Sequence, residues 1–99
     1  MDRNSERAAV RAVLARLQVL APGRAVELRV PPYVAAQIVA GPTHTRGTPS
    51  AVVEMDAASL LGLADGSLEW HELVHNGRVR ASGERSDLAH LFPLNRLGS

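Results

Sequence analysis

Val52-Val53-Glu54-Met55-Asp56-Ala57-Ala58-Ser59-Leu60-Leu61-Gly62-Leu63-Ala64-Asp65-Gly66 passes from strand to helix at one residue, and that junction decides the fold. Ser50 to Met55 reads as a strand, rich in β-branched residues. Asp56 is an N-cap, its carboxylate placed to take a free amide of the first turn. The helix it opens carries Leu60, Leu61 and Leu63, and Asp65-Gly66 closes it.

Upstream, Val26, Leu28 and Val30 alternate with Ala25, Glu27 and Arg29, the two-residue period of a half-buried strand. Pro31-Pro32 ends it, and Tyr33 to Ala40 reads as a second strand. Gly41 to Pro49 is a loop, with Gly and Pro at both ends. Further back, Asp2, Asn4 or Ser5 caps a helix over about residues 4–20. Its apolar stripe is Val10, Val13, Leu14 and Leu17, and Ala21-Pro22-Gly23 stops it.

Downstream, Ser67 reads as the cap of a helix carrying Trp70, Leu73 and Val74 and closing at Asn76-Gly77. Arg78 to Ser82 reads as a fourth strand with Val79 and Ala81 inward. Ser86-Asp87 caps a last turn or helix with Leu88, Leu91 and Phe92. The order is that of an α+β domain. Short links between the first three strands favour antiparallel pairing, and the helical crossover before the fourth places any parallel pairing there. One domain spans residues 1–99, with its core over about 22–94 and a frayed tail at 95–99.

Composition narrows the function. The chain has 99 residues, formal charge +1 and 45% hydrophobic residues, with only Tyr33, Trp70 and Phe92 aromatic. Its core is therefore built from Val, Leu, Ile and Ala. All eleven basic residues are Arg, scattered along the chain. No basic cluster with interleaved aromatics marks a nucleic-acid face. Without cysteine there is no disulfide, no thiolate catalysis and no thiol zinc site. The apolar runs are too short for a membrane span, and no signal-peptide core follows Met1-Asp2-Arg3-Asn4, so the expected location is cytoplasmic.

His71-Glu72-Leu73-Val74-His75 matches the zinc-protease pattern: two imidazoles one helical turn apart, with a carboxylate between them to polarise water. The helix is short, however, and no downstream motif places a third ligand. Core packing by Trp70, Leu73 and Val74 accounts for it, with His71 and His75 on its flank. Zinc hydrolysis is the remote alternative. The expectation is no metal site, no cofactor and no catalytic residue. No Gly-x-Ser-x-Gly elbow and no phosphate-binding Gly-rich loop is present either.

From Ala51 onward the chain resembles the sterol carrier protein family. The resemblance rests on Val52-Val53-Glu54-Met55-Asp56, then Ser59 to Gly66 as a leucine-rich helix followed by Gly. Trp70 to Gly77 and Gly77-Arg78-Val79-Arg80-Ala81-Ser82-Gly83 continue it, and Asp87-Leu88 opens the closing element. Pro22-Gly23-Arg24, Val26 to Pro32 and His44 to Pro49 are similar to a small bacterial, actinobacterial-type branch. The resemblance implies a mostly antiparallel sheet of four to five strands, covered on one face by helices. Between them it implies a tunnel for a lipid or other apolar ligand, and no catalysis. Four strands are counted here where the family's sheet usually has five.

On that reading the tunnel wall is Ile38, Val52, Leu60, Leu61, Leu63, Trp70, Leu73, Leu91 and Phe92, residues that equally suit an ordinary core. Trp70 stands out because indoles often sit at pocket mouths. His44 and Arg46 are candidate contacts for a polar head group; the Thr-rich loop and an Arg46 ion pair are the alternative reading. The expected partner is an apolar small molecule, without nucleic acid or stable membrane insertion. The alternative is a protein–protein accessory or dimerisation module with a closed core.

Overall fold

The computed structural model describes residues 1–41 and 51–94. Helix α1 (Arg3–Leu20) leads into strands β1 (Val26–Val30), β2 (Val34–Ile38) and β3 (Ala51–Met55). Helices α2 (Ala57–Asp65) and α3 (Trp70–His75), strand β4 (Val79–Gly83) and a 3-10 turn (Ala89–Leu91) complete the described chain. None of the described helices is long and apolar enough to cross a membrane.

Local chemistry sets the ends of these elements. Ser5 N–H donates to Asp2 Oδ1 at 2.7 Å, making Asp2 the cap of α1. Ser59 N–H donates to Asp56 Oδ1 at 2.9 Å, the cap read from the sequence. Ser67 is not a cap: its N–H donates to Asp65 Oδ1 at 2.8 Å, in a turn between the helices. Helix α3 starts three residues later and is capped by Glu69. The closing element is a single 3-10 turn, with Asp87 Oδ1 accepting from Ala89 N–H at 3.0 Å.

The sheet has order β2-β1-β3-β4 and is mixed and four-stranded. β1–β2 and β3–β4 are antiparallel, so the sheet is mostly antiparallel as expected. The parallel pairing lies elsewhere than expected, between β1 and β3. Only the Pro31–Tyr33 link is a tight hairpin. Residues 39–50 supply the roughly dozen residues that a parallel return requires. Ala25 anchors that return, donating its N–H to the Val39 carbonyl at 3.0 Å and accepting from Ala51 N–H at 3.1 Å.

Register then assigns the faces. Leu28 stands beside Ala36 and Val53, and Val53 beside Ala81, on the helix side. Glu27, Arg29, Val52, Glu54, Arg80 and Ser82 alternate with them on the open side, where Arg29 pairs with Glu27 and Arg80 with Glu54. α1 packs on α2 and β2, and α3 on β4. Val10, Leu14 and Leu17 of α1 join Val26, Leu28, Val30, Val53, Leu60 and Leu63 in one buried cluster. Ala81 was expected inside; it shares Val53's side of the sheet but is exposed, because burial along β4 ends at Val79. Tyr33 fastens the hairpin to α1 through a 2.6 Å hydrogen bond to Glu6 Oε1, and that carboxylate raises the phenol's pKa above its usual value.

Candidate functional site: a cleft beside Trp70 and Phe92

The α2–α3 link folds back onto α2 at Gly62, and Pro93 lies against Gly66. A Cβ at Gly62 would lie 2.3 Å from Leu68 Cδ1, so any larger residue would have to displace the Leu68 side chain that folds back onto α2. Leu68 N–H closes the turn by donating to the Gly62 carbonyl at 3.0 Å. This sets Trp70 against Phe92, their rings stacked with centroids 6.3 Å apart and planes 15° from parallel.

Beside this pair lies a cleft of about 390 Å³, within the size range of small-molecule sites. Trp70 and Phe92, 5% and 8% exposed, form its floor. Gly66, Leu68, Ala89 and Pro93 also line it, with the exposed Glu69 and His71 at the rim. Glu69 Oε2 accepts from His71 N–H at 2.7 Å and from Glu72 N–H at 3.3 Å. Its Oε1 lies 3.7 Å from His71 Nδ1. Among the described residues, no arginine lines the cleft.

The nine wall residues do not form one wall. Ile38, Leu60, Leu63 and Leu73 are at most 1% exposed and belong to the core cluster with Leu91. Leu61 is half-buried against its edge. Only Trp70 and Phe92 of the nine line the cleft. Val52 is a correction. It sits on the open side of the sheet, in register with Glu27 and Ser82, beside a hollow it shares with the ion-paired Glu54 and Arg80. Two adjacent valines leave the phase of a strand ambiguous, and here pairing with β1 put Val53, not Val52, opposite Leu28.

His44 and Arg46 lie outside the described residues, as do most of their loop and the 95–99 tail. His71 and His75 are both exposed on α3, a helix of six residues. Among the described residues, no group of three His, Cys, Asp or Glu side chains is placed to hold a metal ion. Sequence reasoning missed Leu68, Glu69, Ala89 and Pro93. Glu69 was hidden because glutamate is an unusual N-cap, although it directly precedes the apolar residue that opens α3.

A mixed four-stranded sheet with helices packed on it is the α+β layout expected from the resemblance to the sterol carrier protein family. The chain belongs to this family: the sequence profile described as bacterial SCP ortholog matches residues 2–94. No curated protein matches the chain.

Proposed function

We propose that this domain binds a lipid or other apolar small molecule and performs no catalysis itself. Family membership supports a carrier-type role, and the observation that carries the reading is the cleft on Trp70 and Phe92. Apolar surface buried there contributes about 25 cal/mol per Å². The apolar end of the ligand rests on the Trp70 and Phe92 rings, and its polar end stays at the rim.

Trp70 is the protein's sole tryptophan, so its fluorescence reports on the cleft alone. Titration with alkyl-chain ligands should shift and saturate this emission, and native mass spectrometry of protein purified from bacteria should show a stoichiometric extractable lipid. An emission that no such ligand alters, together with a clean apo mass, would reject the reading.

A second reading is an accessory or dimerisation module. One observation favours it: β4 is an edge strand, exposed from Arg80 to Gly83, and such edges can pair with another strand. Arg80 on this strand and Arg78 just before it resemble the charged protection that edges carry against pairing, so the binding role ranks first. Concentration-dependent light scattering separates the two.

A further inference from the structure

Resting on that binding role, we infer that the cleft discriminates between ligands by head group: Glu69 disfavours a carboxylate and favours an uncharged or cationic hydrogen-bond donor, an alcohol or an amine. The argument is charge and donor supply. An incoming carboxylate needs N–H donors or a cation. Glu69 and His71 are the polar side chains at the rim among the described residues, and no arginine stands among the described lining residues. The two backbone amides that open α3, those of His71 and Glu72, already donate to Glu69 Oε2. An anionic head group therefore meets a like charge and amides that are already engaged, with the His71 imidazole beside Glu69 as the side-chain donor left at the rim. A hydroxyl or ammonium meets a carboxylate with acceptor capacity to spare, since Glu69 Oε1 has only the long 3.7 Å approach of His71 Nδ1. Glu69 is 63% exposed, so solvent screens the effect and a modest preference is expected, about two- to fivefold.

The test uses three probes with one chain length, decanol, decylamine and decanoate, titrated below aggregation against Trp70 fluorescence near neutral pH. The wild-type protein should bind decanol and decylamine about two- to fivefold more tightly than decanoate, and added salt should narrow the gap for the charged probes. Glu69→Gln keeps an acceptor for the His71 amide and removes the charge; it should bring decanoate level with decanol. The inference is overturned if decanoate binds the wild type as tightly as decanol, or if the ratio is unchanged in a folded Glu69→Gln. It is equally overturned if decanoate binds more tightly and Arg46→Ala abolishes that advantage, which would assign the head group to the loop. Saturable binding without discrimination leaves the apolar-binding role standing, whereas no response to any probe removes both. Should Glu69→Gln fail to fold, the wild-type ratio and its salt dependence still decide the matter.

Discussion

Gly23 shows how one residue locks the start of the sheet. Its φ of +148° lies outside ordinary L-residue territory, and a Cβ would come within 2.2 Å of the Val39 carbonyl oxygen, which is backbone and cannot swing aside. Gly77 is also left-handed, at φ +83°, but nothing lies within 4 Å of its would-be Cβ. Gly23→Ala should therefore cost about 3 kcal/mol, combining strain with overpacking. Gly77→Ala should cost about 1 kcal/mol, from strain alone. Urea denaturation of the two variants measures the difference, and equal costs would contradict the close approach. On the open side of the sheet, Arg80→Ala should change stability by less than about 1 kcal/mol, because its pair with Glu54 is solvated.

At the scale of elements, the caps make the fold acid-sensitive. Asp2 is held below its ordinary 3.8 by the Ser5 amide, and Asp65 by Ser67. At Asp56 partial burial opposes ionisation, but hydrogen bonding from Ser59 and the charge of Arg78 outweigh it and the carboxyl ends below 3.8. Groups depressed in the folded state stabilise it above their unfolded pKa, and that contribution is lost as pH falls through the folded value. Urea midpoints should therefore hold level from neutral pH to about 5 and fall below about 4. Asp56→Asn keeps a capping acceptor without the titration, so its acid decline should be shallower. A midpoint that rises on acidification would contradict the cap assignment. Within α2, Leu60→Ala should cost about 2–5 kcal/mol, since Leu60 is fully buried in the core. Ser59 shares that burial, and its hydroxyl makes no hydrogen bond of good geometry. Ser59→Ala should be close to neutral, because it removes an unmet polar group.

At the scale of the whole molecule, one cluster ties α1 to all four strands and to the C-terminal turn through Val10, Val26, Ile38, Val53, Val79 and Leu88. With a single shared core, far-UV circular dichroism and Trp70 fluorescence should report the same unfolding midpoint. Separate midpoints would show that the Trp70–Phe92 end opens independently of the sheet.

Most of the elements were legible from the chain alone because their signals are local. The alternation in Val26–Val30, the Asp56 cap, the leucines of α2 and the α1 stripe each depend on neighbours within a turn or two. The α+β class follows from that order, while the family, and with it the one-sided cover, was read from short motifs such as Ser59 to Gly66. Strand pairing does not, since backbone hydrogen bonds carry no side-chain identity and any strand of suitable length will accept another. Only the folded chain decided that β3 lies beside β1, and with it that Val53 faces the helices while Val52 faces out. The cleft belongs to the same class of fact. Trp70 was singled out from sequence, but Glu69 and Pro93 acquire a shared surface only when residues 66–71 and 89–93, apart in the chain, meet across the Trp70–Phe92 stack.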